Sequence, residues 1–169
     1  DFSGVRLDTF GELPAIRNTA GTFDITGMSV NAHLQSGKIF LPDDSSVDVT
    51  SGSFGIKDFG EPPVDAEVQI AGSGELGSIA AIAAARPLDV PARIDMRPGQ
   101  FSGKAHVDVA ANFPLVRKIG KKDVDWNAIL ELDGVNSSDK IQGHRITNAN
   151  LHIEATPVEV RVMGKAAVD

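Results

Sequence analysis

The residues with the most conspicuous chemistry stand near the middle of the chain, at Gly72, Gly74 and Gly77. They form G-x-G-x-x-G after an alternating apolar stretch (Val64, Ala66, Val68, Ile70) and before an Ala-rich run that Arg86-Pro87 terminates. In a nucleotide-binding unit the first glycine makes a tight turn and the second lets the backbone approach a pyrophosphate. The helix N-terminus then faces the negative charge. Asp95 stands near the distance at which such a unit places its ribose-binding carboxylate. The rest of the chain weighs against this chemistry. A nucleotide fold repeats strand–helix units, yet the stretch before Gly72 is strand-like throughout and no comparable helix follows. Asp95 alternates with Ile94 and Met96, the pattern of a solvent-facing strand residue. With 17 glycines in 169 residues, the spacing arises readily by chance.

Other reactive side chains are scattered. His33, His106, His144 and His152 contain no H-x-H or H-x-x-x-H pair, so no local metal pair is offered. Asp43-Asp44 and Asp123-x-Asp125 present carboxylates, but neither belongs to an EF-hand loop, and both read as solvated turns. Asn136-Ser137-Ser138 matches a glycosylation sequon, which matters only in a eukaryotic secretory setting. No G-x-S-x-G elbow occurs. The expectation is a protein that is not an enzyme, with no metal and no cofactor.

The elements that carry these residues are mostly strands. Apolar residues alternate at Phe23 and Ile25, and again at Met28, Val30, Ala32 and Leu34, with a phase change or bulge at Gly27. A short segment from Gly37 to Leu41 and a turn at Pro42-Asp43-Asp44 follow. Val47, Val49, Phe54 and Ile56 continue the pattern, broken near Gly52. After the strand ending at Ile70, a helix spans about Glu75 to Ala85, with Leu76, Ile79 and Ile82 on the side expected to pack against a sheet. Beyond it, alternation resumes at Val90–Met96, Ala105–Ala111, Val124–Leu132 and Ile146–Ala155, and closes with Val158, Val160 and Val162. Phe113 to Ile119 reads as a helical turn. Gly103-Lys104-Ala105 returns as Gly164-Lys165-Ala166, both at expected strand starts, a weak sign of a repeated unit. About ten strands result. Their period-two alternation suits an antiparallel sheet with one covered face rather than the continuous apolar runs of a parallel one.

Composition narrows the function. A net charge of −7 argues against a nucleic-acid partner, because phosphate neutralisation requires a basic surface. The densest cations, Arg117-Lys118 and Lys121-Lys122, do not reverse that balance. There is no cysteine, so disulfides and thiolate metal sites are absent, a composition compatible with the periplasm. Aromatics make up only 5% of the chain and tyrosine is missing, so the apolar surface is a smooth aliphatic one. The longest wholly apolar run, Ile79 to Ala85, is far shorter than a membrane helix. The chain opens and closes in strand-like pattern, without a signal-peptide pattern at its start. It is expected to be one β-rich section, 1–169, of a longer protein, with the helix separating β sections 1–74 and 88–169.

Several short motifs taken together resemble a known family. The order Leu13-Pro14-Ala15-Ile16, Gly21-Thr22-Phe23-Asp24-Ile25-Thr26-Gly27, a strand pair, and a short helix ending Ala84-Ala85-Arg86-Pro87-Leu88 resembles the AsmA-like, YhdP-like proteins of the Gram-negative cell envelope. Gly99-Gln100-Phe101-Ser102-Gly103-Lys104-Ala105 resembles the family's return strand. Phe113-Pro114-Leu115 followed by Asp123-Val124-Asp125-Trp126 resembles its link into the next. The resemblance covers most of the chain and rests on spacing rather than on any one specific motif. It implies an elongated, strongly curved antiparallel sheet with an apolar groove. It also implies an inner-membrane-anchored parent in the periplasm and a role carrying phospholipid between the inner and outer membranes.

Three functions follow in order. The first is a non-enzymatic, monomeric section that holds phospholipid or another acyl-chain lipid along Ala66, Val68, Ile70, Ala105, Val107, Val109, Ala128, Leu130, Leu132, Leu151, Ile153, Val158, Val160 and Val162. The second is a scaffolding β module that binds an envelope protein through a sheet edge. The third is the dinucleotide enzyme. Alternation alone leaves open whether the apolar residues line a groove or fill an ordinary core.

Overall fold

A computed structural model of the chain describes residues 1–9, 11–60, 62–85, 99–116, 122–140 and 143–168. The strands are β1 (Phe2–Leu7), β2 (Ile16–Thr26), β3 (Ser29–Phe40), β4 (Ser46–Ile56), β5 (Asp65–Glu75), β6 (Phe101–Pro114), β7 (Asp125–Ser137), β8 (Ile146–Ala155) and β9 (Val160–Val168). One helix, α1 (Leu76–Ala84), stands between β5 and β6. Every strand pairs antiparallel with its neighbours in sequence, so the spatial order runs from β1 to β9 as a meander. The sheet does not close into a barrel, and β1 and β9 form its two edges.

Several local expectations are corrected. Gly27 lies in the β2–β3 hairpin turn rather than at a bulge, in the left-handed conformation (φ 60°) that a side chain resists. β3 runs unbroken through Gly37, and β4 runs through Gly52 with its irregularity two residues earlier, between Val49 and Ser51. Phe113 belongs to β6 rather than to a helical turn, because Ala66 pairs with it across the sheet. Gly164 sits within β9 rather than at its start. Val158 is a turn residue, 94% exposed, and not part of a strand. The strand expected at Val90, Ala92, Ile94 and Met96 lies outside the described residues, as do Asp95, Arg86, Arg93, Arg117, Lys118 and Lys121.

The helix interrupts the chain but not the sheet. β5 and β6 pair residue for residue from Asp65 opposite Pro114 to Glu75 opposite Lys104. The β sections on either side of α1 are thus one continuous sheet. Leu, Ile and Ala favour the helical segment, and Gly77 is its one weak helix former. Ala85, extended at ψ 145°, ends it. Leu76 and Ile79 enter a buried cluster with Val47, Ala105, Leu132, Val135 and Ala149, and Ile82 packs at its margin. The helix lies on β4, β5 and β6. Its Ser78 hydroxyl meets that of Ser45, 3.0 Å away, in the β3–β4 connection.

Candidate functional site

Residues directly opposite one another in paired strands share a face of the sheet. Following the register from strand to strand therefore shows what each face carries. One row reads Phe23, Ala32, Phe54, Val68, Ala111 and Trp126. The next reads Gly21, Leu34, Gly52, Ile70, Val109, Ala128, Ala155 and Val160. A third reads Gly37, Val49, Gly72, Val107, Leu130, Ile153 and Val162. No charged or hydrogen-bonding side chain other than the Trp126 indole interrupts these rows. The sequence alternation produces this, because strands of matched phase joined by short turns stack their apolar positions in line.

Among the described residues, one helix lies on this face and covers only part of it. α1 closes the end where Val47, Ala105 and Leu132 meet. Away from it, Phe23, Ile25, Val160 and Val162 are exposed, and Val30, Phe54, Val68, Val109 and Ala128 are half-buried. The total accessible surface is 10614 Å², against about 8,000 Å² for a compact protein of this mass. Among the described residues, no second layer lies over most of this face, in keeping with such an excess.

Of the fourteen residues named from the sequence, thirteen occupy this face: Ala66, Val68 and Ile70 on β5; Ala105, Val107 and Val109 on β6; Ala128, Leu130 and Leu132 on β7; Leu151 and Ile153 on β8; Val160 and Val162 on β9. Val158, in the β8–β9 turn, does not. The set divides in two. Ala105 and Leu132 are buried in the cluster under α1, with Val107, Leu130, Leu151 and Ile153 packed around it. Ala66, Val68, Ile70, Val109, Ala128, Val160 and Val162 lie beyond it, Ala66 fully buried between its cross-strand partners Ile56 and Phe113 and the others half-buried or exposed. Phe23, Ile25, Val30, Ala32, Phe54 and Ile56 extend the face across β2 to β4 and were missed. Their alternation is plain in the sequence, but only the register shows that they continue the same rows.

The opposite face is polar. His33, Ser53, Gln69, Ala110 and Asn127 form one cross-strand row. Lys38 pairs with Asp48 at 2.9 Å, His106 with Asp108 at 3.3 Å, and Lys57 with Glu67. His152 lies between Glu131 (2.5 Å) and Glu154 (3.3 Å), and these hydrogen bonds, Glu131 first, hold its imidazole pKa above the ordinary histidine value. A depression of about 530 Å³ on this face is lined by His33, Ser51, Ser53, Gln69, Asp108 and Asn127, among others. It is shallow and exposed, and brings no buried titratable groups together. The uncovered apolar rows are thus the stronger candidate. Among the described residues, no group of three His, Asp or Glu gathers as a metal site would require, and no helix is long and apolar enough to cross a membrane.

The glycine motif does not form a phosphate-binding turn. Gly72 and Gly74 lie within β5, opposite Val107 and Ala105, and Gly77 lies within α1. Their smallness has another cause. A Cβ on Gly72 would come within 3.0 Å of the Asp48 carbonyl oxygen, and one on Gly74 within 3.2 Å of Val47 Cγ2. The two glycines let β5 lie close against β4 where the apolar cluster begins. Compared with family models, curated proteins and solved structures, the chain matches none.

Proposed function

We propose that this chain is a non-enzymatic lipid-binding section of an AsmA-like, YhdP-like envelope protein, holding phospholipid acyl chains against its apolar face in the periplasm. One observation carries the reading: an apolar face continuous across the sheet that, among the described residues, a single helix covers only at one end. On β5 alone, the stretch from Ala66 to Gly72 spans about 20 Å at ~3.3 Å per residue. That exceeds half of the ~30 Å hydrocarbon thickness of a bilayer, and so matches one acyl chain. Each CH₂ covered contributes about 0.8 kcal/mol, so a chain is retained without a specific polar contact. Apolar rows without a polar anchor along them give no specific contact to stop it, which suits a lipid that must move on.

The test is native mass spectrometry of the purified chain, beside a Val68→Asp, Val109→Asp variant. Phospholipid adducts on the parent chain, strongly reduced in a variant with the same circular dichroism, are expected. A folded parent that carries no lipid and takes none up from micelles overturns the reading. A second reading rests on the two open sheet edges, β1 and β9. An envelope protein pairing there would give protein crosslinks from β9 that persist in lipid-free preparations.

A further inference from the structure

In a meander, alternate connections gather at the same end. The β2–β3, β4–β5, β6–β7 and β8–β9 connections (described residues 27–28, 57–60, 62–64, 115–116, 122–124 and 156–159) therefore share the end opposite α1. Each carries an exposed large hydrophobic side chain: Met28, Phe59, Leu115 with Val116, and Val158. At the other end, the described residues of the connections carry none. Leu41 there is buried, and Phe40, the last residue of β3, is the nearest exposed one. Folding does not call for such an arrangement, since a solvated turn is ordinarily polar.

From this row of tips we infer that the end of the sheet opposite α1 docks on the surface of a phospholipid bilayer, its turns inserting one by one among the headgroups. Two observations select a bilayer over a folded protein. The tips recur every second strand, about 10 Å apart at ~4.8 Å per strand. They thus form a line some 30 Å long rather than the compact patch that a protein hot spot occupies. The tips are also continuous with the uncovered apolar rows, since Ile25 and Ile56 each stand three residues before Met28 and Phe59. Docking here would bring the open end of the lipid-holding face to the hydrocarbon boundary while α1 closes the far end. The inference thus rests on the lipid-binding reading for its purpose, though not for its measurement.

The test is co-flotation of the chain with vesicles of phosphatidylcholine, with and without phosphatidylglycerol, alongside quenching of Trp126 by lipids brominated on the acyl chain. Met28→Ser, Leu115→Ser and Val158→Ser are each expected to weaken vesicle partition about three- to tenfold, the scale of one apolar side chain returned to water. Phe40→Ser, at the other end, is expected to leave it unchanged. These exposed sites can be changed without opening the core, and thermal melts check that folding is intact. If no vesicles float the chain although it still takes up monomeric short-chain phospholipid, the docking inference fails and the lipid-binding function stands. If it neither floats nor takes up lipid, both fail. An equal loss with Phe40→Ser, or binding of these turns to a protein with no vesicle association, also overturns the docking inference.

Discussion

Two isoleucines on the apolar side of the sheet separate a filled core from an open face. Ile79 of α1 is 5% exposed, within the cluster of Val47, Leu76, Ala105 and Leu132, whereas Ile25 of β2 is 60% exposed. Ile→Ala removes about three CH₂ equivalents, worth ~0.8 kcal/mol each when fully buried. At Ile79 the transfer loss is therefore about 2.4 kcal/mol. The cavity left between helix and sheet adds to it, for a total of about 3 to 4 kcal/mol. At Ile25 only two-fifths of that surface is withdrawn from water and no cavity forms, so the loss is about 1 kcal/mol. Equilibrium urea unfolding of the delipidated chain, followed by Trp126 fluorescence and far-ultraviolet circular dichroism, measures both. A third variant, Val162→Ala on β9, should behave like Ile25→Ala. If Ile25→Ala or Val162→Ala costs as much as Ile79→Ala, something covers the outlying rows, and the open-face argument is refuted.

Further outcomes follow from the same geometry. Gly77→Ala places its Cβ in open space on a helix, so it should stabilise the chain by about 0.5–1 kcal/mol. Loss of stability in chemical denaturation would show that this glycine is needed for backbone freedom. Gly21→Ala would drive a Cβ to 2.1 Å from the His33 carbonyl oxygen. It should destabilise by at least about 1–3 kcal/mol and disturb the β2–β3 amides in hydrogen exchange. A neutral effect would contradict the close approach of those strands. Because the His152 pKa is raised by Glu131 and Glu154, the stability this contact adds is fully present below the unfolded-state value. It is lost as pH rises through the folded-state value. NMR titration should find the imidazole protonated to higher pH than free histidine and shifted down in Glu131→Gln, and an unchanged midpoint would refute the pairing.

Much of the sheet is legible in the sequence because alternation of period two is a local property. Ala66-x-Val68-x-Ile70 and Val107-x-Val109 announce both strand and face, and their partners follow from matched phase. Local signals fail where a glycine serves two purposes. Gly27 turns a hairpin, Gly52 sits inside a strand and Gly72 permits a close approach, yet all three look alike in sequence. Val158 prolongs the alternation of Val160 and Val162, but Thr156, which receives backbone N–H bonds from Val158 and Glu159, folds that segment into a turn. The β2–β4 half of the face was missed for a related reason: which strands share a row depends on register. The row of apolar turn tips was harder still to read, since only the strand order shows that Met28, Phe59, Leu115 and Val158 lie at one end.

Lipid contact with the uncovered rows is tested most directly by photocrosslinking in a Gram-negative cell. A photoreactive residue at Val68 or Ala128, on the apolar face clear of α1, is set against one at Gln69 or Asn127 on the polar face of the same strands. Phospholipid captured at Val68 and Ala128 and absent at Gln69 and Asn127 is the predicted result. Equal capture on both faces, or none on either, would contradict it.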